Sequence, residues 1–253
     1  MLKTLISAAA LVAASAGAAN AAILYQTSFE APTFNTTLNG IDGWITQNGG
    51  SVGTVAANAR TGTRYAQSGT LTTGGQWQWQ GAIGQSAAQI AATPIIRASV
   101  WMSHNAGTST GLLRRGGLQM YNFAGSAVLA ALYIQSDGSV TVTDGLAQSA
   151  STAAGFVVNP AAYNQIEIEL NYVTQMAAFK VNGISLILPP GVGAFADVDF
   201  GDADFYSTRA TGTAGGSTVR YDDYLVEAFA VPGPGALALA GFGGLLAARR
   251  RRA

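Results

Sequence analysis

The sequence predicts an antiparallel β-sandwich, and three observations carry that expectation. Between residues 22 and 230, short runs with a period of two alternate with Gly, Asn, Asp and Ser turns, the pattern of a sandwich or barrel. That span contains no long amphipathic helix. Only 10% of the chain is charged, while small and amide residues abound beside β-branched and aromatic ones, unlike a disordered segment.

The elements follow in order. Ile23 to Phe29 forms a first strand. In Gly40-Ile-Asp-Gly43-Trp44, the indole of Trp44 is expected in the core. Ile95 to Ser103 sets Ile95, Arg97, Ser99, Trp101 and Ser103 on one face against Ile96, Ala98, Val100 and Met102 on the other. Ala127 to Gln135 and Ser139 to Thr143 flank Ser136-Asp137-Gly138, a hairpin with Gly in the left-handed position. Gln165 to Tyr172 alternates Ile166, Ile168, Leu170 and Tyr172 against Glu167, Glu169 and Asn171, one buried face and one wet face. Ala177 to Val181 and Ile184 to Leu188 enclose Asn182-Gly183, the strongest short hairpin signal of the chain. Thr218 to Phe229 closes the domain beside the first strand. Arg114-Arg115 is read as a solvated turn.

The two ends read differently from the middle. Lys3, the apolar run Leu5 to Ala14 and the small-x-small site Ala19-Asn20-Ala21 form a secretory signal peptide over 1–21. At the other end, Val231-Pro232-Gly233-Pro234 precedes an uncharged run over 235–248 and then Arg249, Arg250, Arg251 and Arg252. Fourteen apolar residues are short for a membrane span of roughly 20. Four arginines beside them form a stop that stays in the cytoplasm, so the passenger lies outside. Lys3 and the terminal arginines are five of the 13 basic residues, so 22–230 keeps 8 basic against 13 acidic residues, a net of −5. An acidic passenger excludes nucleic acid as the expected partner, which needs a basic footprint. With no cysteine, the 209-residue passenger must be held by its own core.

Two resemblances rest on these residues. The proline break, apolar run and arginine stop over 231–253 resemble the PEP-CTERM sorting tail of Gram-negative bacteria. That resemblance implies exosortase as partner, an inner-membrane anchor during sorting, and delivery to the cell surface or an exopolysaccharide matrix. The usual Val-Pro-Glu-Pro is Val-Pro-Gly-Pro here, with Gly233 in place of Glu. Tyr163-Asn-Gln-Ile166-Glu-Ile-Glu-Leu-Asn-Tyr172, followed by Ala178-Phe-Lys-Val-Asn182-Gly183, resembles the central hairpins of laminin G-like domains. It implies a concanavalin A-like jelly roll, with a galactose-binding-like jelly roll as the alternative.

Candidate sites follow. Ser28-Phe29-Glu30 on the opening strand and Tyr221-Asp222-Asp223 on the closing one look similar to the ends of carbohydrate-binding jelly rolls that hold one structural Ca²⁺. By that resemblance Glu30 and Asp222 supply two of its oxygen ligands. The alternative is that the aspartates receive backbone N–H groups at the end of an exposed loop. Asp197-Val-Asp199-Phe-Gly-Asp202-Ala-Asp204 places Asp197 and Asp199 on one strand face. It does not match the EF-hand spacing. Laminarinase-type hydrolases share the jelly roll but carry Glu-x-Asp-x-(x)-Glu on one strand. A polysaccharide-acting glycoside hydrolase using Asp197, Asp199 and Asp202 is therefore the alternative to a non-catalytic glycan-associated or structural domain. His104, the one histidine, is expected in a loop after a strand, and no nucleophile elbow or phosphate loop accompanies it. Trp77 and Trp79 alternate with Gln76, Gln78 and Gln80. Either the indoles fill the core and the amides are wet, which is the default, or the indoles stand on an open face where they can stack on sugar rings.

Overall fold

The structure is a computed structural model that describes residues 21–231 apart from 36, 49, 55–57, 70–73, 106–113, 146–149 and 210–217. The expected signal peptide before Ala21, and the tail from Pro232 through Arg249–Arg252, lie outside the described residues. Among the described residues no helix is long and apolar enough to cross a membrane.

Two antiparallel sheets face each other. The first has eight strands in the order β13 (Ile184–Ser185), β12 (Met176–Val181), β11 (Asn164–Asn171), β6 (Ile95–Asn105), β15 (Thr218–Phe229), β4 (Arg64–Ser68) and β3 (Gly50–Thr54), with β1 (Ala21–Thr27) also paired to β15. The second has seven, in the order β10 (Ala150–Val157), β9 (Ser139–Asp144), β8 (Val128–Gln135), β7 (Arg114–Tyr121), β14 (Ala203–Arg209), β5 (Gln76–Gln80) and β2 (Trp44–Gln47). First and last strands are neighbours, with Ala21 opposite Phe229 and Thr27 opposite Tyr224. A short helix, α1 (Ala87–Ala92), opens on a capping box between Ser86 and Gln89. This is an antiparallel jelly-roll sandwich, as the alternation predicts.

The core lies between the sheets. Ile96, Ala98, Val100 and Met102 of β6, and Ile166, Ile168 and Leu170 of β11, meet Leu118 and Met120 of β7 and Leu132 and Ile134 of β8, all fully buried. One end is aromatic. Phe205 stacks on Tyr221 with centroids 4.3 Å apart and an angle of 8°, and meets Tyr224 edge-on at 5.1 Å. Trp44 packs 5.0 Å from Phe205 and is fully buried, as expected. Tyr221 and Tyr224 are three residues apart, so strict alternation would put them on opposite faces. A β-bulge between Asp222 and Leu225 inserts one residue into β15, and Asp223 takes the left-handed conformation there (φ 49°). Both tyrosines therefore reach the core.

Both hairpins form as expected. Asn182 and Gly183 have φ of 52° and 76°, the type I′ requirement, and Gly138 has φ 86°. Arg114 and Arg115, however, open β7 instead of forming a turn. Arg115 is held in the ladder opposite Thr208 and Gln135, and its guanidinium lies 4.9 Å over the Tyr133 ring. His104 belongs to β6 rather than a loop. It is 5% exposed, and its Nε2 lies 2.9 Å from the Ile134 carbonyl oxygen of the opposite sheet. Strand β6 runs two residues past the alternation at Ser103, so the imidazole bridges the two layers. Asp197 and Asp199 do not share a strand face, because β14 begins only at Ala203.

Candidate functional site on the open face of the seven-stranded sheet

Strand β5 decides where the site lies. Its amides point inward and its indoles outward, the reverse of the default expectation: Gln76, Gln78 and Gln80 are at most 4% exposed, and Trp77 and Trp79 are half-buried on the outer side. Two of these amides are kept inside by backbone partners. Gln78 donates to the Gln67 carbonyl of β4 in the opposite sheet at 3.3 Å. Gln80 donates to the Asp42 carbonyl at 2.7 Å and accepts from the Ala82 N–H at 2.5 Å. Near the sheet edge the chain has unpaired loop carbonyls to satisfy, and an amide does so where an indole cannot.

The outward residues of successive strands fall into rows. Gln47 lies opposite Trp77, Trp77 opposite Tyr206, Tyr206 opposite Gly117, and Gly117 opposite Tyr133. Gly117 has no side chain to stand between its neighbours, so the Tyr206 and Tyr133 rings meet above it at 5.7 Å; Trp77 lies 5.2 Å from Tyr206 on the other side. The result is an aromatic row running across the strands.

A polar network holds this row. Gln119 Oε1 accepts from Trp77 Nε1 at 3.0 Å and from the Tyr121 hydroxyl at 2.7 Å, while its Nε2 donates to the Tyr133 hydroxyl at 2.6 Å. Burial pushes the Tyr133 hydroxyl up to about 12, against the hydrogen bond from Gln119 and the charge of Arg115. Burial also raises Tyr121, with Asp204 adding to the effect. Both phenols therefore stay protonated at neutral pH.

At one end of the row, Gln47, Trp77, Trp79, Tyr121, Gly125, Asp202 and Asp204 line an open pocket of about 240 Å³. Asp204 is 6% exposed, opposite Gln119 in the ladder. Asp202 and Asp204 are close enough to perturb each other's ionisation. Burial raises both, and the neighbouring Asp202 raises Asp204 further.

The other expected residues lie elsewhere. Glu30 and Asp222 are brought to one loop, which they grip from its two ends. Glu30 Oε1 accepts from the N–H groups of Thr63 (2.9 Å) and Arg64 (2.8 Å), and Oε2 from the Thr63 hydroxyl at 2.9 Å. Asp222 Oδ2 accepts from the N–H groups of Arg60 (2.8 Å) and Thr61 (3.1 Å), and Oδ1 from the Asp223 N–H at 2.9 Å. Each carboxyl thus uses three of its roughly four acceptor positions on the chain itself. Burial opposes ionisation of Glu30, yet the Arg64 and Thr63 donors hold it below the usual carboxylate range. Burial pushes Asp222 up to about 6. Asp223 pairs with Arg60, whose guanidinium lies 3.7 Å over Trp101. Among the described residues, no group of three His, Cys, Asp or Glu is arranged to hold a metal ion. Asp197 accepts from Asn122 Nδ2 at 2.9 Å, and Asp199 from the Phe123 N–H at 2.9 Å, so both pin the loop to the turn after β7. Glu167 and Glu169 form the polar sheet face expected of them, bonded to Lys180 and Arg97.

Of the residues gathered here, the sequence singles out Trp77 and Trp79 as stacking candidates and Asp202 as a hydrolase carboxyl, and does not single out Tyr206, Tyr133, Tyr121 or Gln119. The phases Asp204-Phe-Tyr206 and Gln119-Met-Tyr121 carry the signal, once the large apolar residue of each triplet is set inward.

No family model and no curated protein matches the chain. Solved structures do. A conserved carbohydrate esterase from the Shiga toxin-encoding bacteriophage phi24B matches at 14% identity with a TM-score of 0.55, over 83% of this chain and 100% of that one. A Bacillus subtilis protein described as having a galectin-like fold matches at 11% and 0.51, over 83% and 97%. An endo-β-1,4-glucuronan lyase from the fungus Trichoderma reesei matches at 14% and 0.51, over 79% and 97%. At such identities the likeness is one of fold.

Proposed function

We propose that this chain is an exported, non-catalytic jelly roll that associates with polysaccharide through the open face of its seven-stranded sheet. Its C-terminal tail would be sorted by exosortase and deliver it to the cell surface or exopolysaccharide matrix of a Gram-negative bacterium. The observation that carries the glycan part is the outward, half-buried rings of Trp77 and Tyr206, with Trp79 beside them and the buried Tyr133 backing Tyr206. Flat apolar rings flanked by amide and carboxyl groups match the two kinds of surface a sugar ring presents, its C–H face and its hydroxyl edge. The fold neighbours whose names concern carbohydrate support this reading, and the galectin-like neighbour favours the concanavalin A-like form of the jelly roll.

Two observations support a non-catalytic reading over a hydrolase or lyase. A glycosidase needs a pair of carboxyls free to face the scissile bond, whereas Asp197 and Asp199, two of the three a hydrolase would use here, accept from Asn122 Nδ2 and the Phe123 N–H in pinning a loop. A lyase base needs a phenol that ionises readily, and Tyr121 and Tyr133 are both shifted the other way.

The test is binding of the full chain to a panel of soluble polysaccharides, with Trp77→Ala and Trp79→Ala beside the parent. Each substitution should weaken binding by about tenfold or more, roughly 1.4 kcal/mol, with circular dichroism unchanged. Unchanged affinity in both variants would remove the open face as the site. Deleting 231–253 should release the protein into the medium; unchanged location and size would remove the sorting role.

A further inference from the structure

The pocket beside the aromatic row is lined by two carboxyls with no cationic partner among the described side chains. Asp202 and Asp204 take part in none of the ion pairs formed among the described residues. The undescribed internal stretches contain no Lys, Arg or His, and Arg114 and Arg209, described by their backbone alone, pair with each other five positions along the ladder from Asp204. The inner oxygens, Oδ1 of Asp202 and Oδ1 of Asp204, are buried and accept no hydrogen bond. A carboxyl pair left in this state below the surface is costly unless something outside the fold uses it. The same pocket is walled by Trp77 and Trp79. Indole faces attract cations and do nothing for anions.

Resting on the glycan reading above, we propose that this pocket takes a protonated primary amine, that of a de-N-acetylated hexosamine residue, with Asp202 and Asp204 as its counter-charge and the two indoles as its walls. An N-acetylated residue brings no charge and adds bulk. A uronate brings a third carboxyl to a pocket already lined by two. A divalent cation is the poorer fit, since the pocket offers two carboxyls and carbon-rich ring faces where a hard cation wants six to eight oxygens. The site therefore selects within polysaccharides, favouring amine-bearing chains over neutral ones and excluding acidic ones.

The experiment titrates the full chain with three hexamers: glucosamine, N-acetylglucosamine and β-1,4-glucose. Asp202→Asn and Asp204→Asn are measured beside the parent, and Asp137→Asn, on the remote β8–β9 hairpin turn, controls for net charge. The glucosamine hexamer should bind the parent about tenfold or more tighter than either neutral hexamer. Asp202→Asn and Asp204→Asn should erase that margin without weakening the neutral hexamers, and Asp137→Asn should keep it. Equal affinity for all three hexamers in the parent overturns the amine inference while leaving the glycan reading intact, and this comparison needs no variant to fold. A preference for glucosamine that Asp137→Asn reduces as much as Asp202→Asn also overturns it, as attraction to overall charge. If none of the three hexamers binds the parent, the amine inference is overturned, while the polysaccharide panel and the Trp77→Ala comparison decide the glycan reading separately.

Discussion

Gly116 and Gly117 are adjacent in β7 and point to opposite faces, and replacing each by alanine tests the assignment of those faces. At Gly117 an added Cβ would lie 2.0 Å from the Leu132 carbonyl oxygen and 2.8 Å from Tyr133 Cα. Both obstacles are backbone of the paired strand, so β7 and β8 must separate. At Gly116 the added Cβ would meet Val219 Cγ1 at 2.7 Å, Val219 Cγ2 at 2.8 Å and Met102 Cε at 3.1 Å. Those are side-chain atoms, and the methionine end can turn away. Overpacking costs about 1–3 kcal/mol, and loosening one or two ladder hydrogen bonds adds about 1 kcal/mol each. Gly117→Ala should therefore cost about 2–5 kcal/mol and Gly116→Ala about 1–2 kcal/mol. For a domain of this size that corresponds to a Tm lower by roughly 5–15 °C and by a few degrees, respectively. Urea unfolding followed by tryptophan fluorescence gives the free energies, with a common m-value showing that both variants unfold from the same compact state. Gly117→Ala should also weaken polysaccharide binding, because Tyr206 and Tyr133 meet over that residue. If Gly117→Ala costs no more than Gly116→Ala, or spares binding while moving the strands, the close approach at Gly117 does not organise the face.

Two further predictions concern the carboxyls. Most acceptor positions of Glu30 and Asp222 are already taken by the chain, so Ca²⁺ returned after chelation should shift the Tm by less than about 1 °C; a rise worth about 2.7 kcal/mol at a hundredfold excess over Kd would place the ion in the loop clamp. Stability should peak at about pH 4, the ordinary carboxylate value, where the two kinds of carboxyl balance. Asp202, Asp204 and Asp222 are raised by burial, so they stabilise the fold below the ordinary carboxylate range and lose this as pH rises, for Asp222 through about 6. Asp137, held low by the Ser139 hydroxyl, and Glu30, held low by backbone donors, stabilise the fold above that range and lose it in acid. Asp204→Asn should flatten the decline between about pH 5 and 7, and a parent Tm that climbs steadily across that interval would refute the assignment.

The sandwich was legible because its central strands are amphipathic at period two and its tight turns carry their own chemistry. Asn182-Gly183 and Gly138 needed no tertiary context to declare left-handed residues. The misread segments are those in which context overrides pattern. Arg114-Arg115 looks like a turn until Thr208 and Gln135 claim it from either side. Asp197 and Asp199 alternate like a strand, yet their carboxyls serve as acceptors for a neighbouring turn. Asp222 illustrates a different limit: the residues that look like metal ligands are also those that can cap backbone N–H groups, and composition alone does not separate the two uses.

Strand β5 shows why the site was harder to read than the fold. A hydrophobicity rule places indoles inside and amides outside, because it scores side chains one at a time. The inward positions here abut loop carbonyls and a neighbouring strand edge, where leaving a polar backbone group unpaired costs about 1–3 kcal/mol, comparable to burying a large apolar side chain. Gln78 and Gln80 meet that demand and reverse the polarity of the strand. The outward positions are then free of the core's packing constraints, and they hold rings that the fold itself does not need to bury: Trp77, Trp79 and, on the next strand, Tyr206. Half-buried rings that packing does not require, held in place by one glutamine and ending at a carboxyl pair with no cationic partner among the described side chains, are therefore the part of this sandwich on which the proposed glycan contact rests.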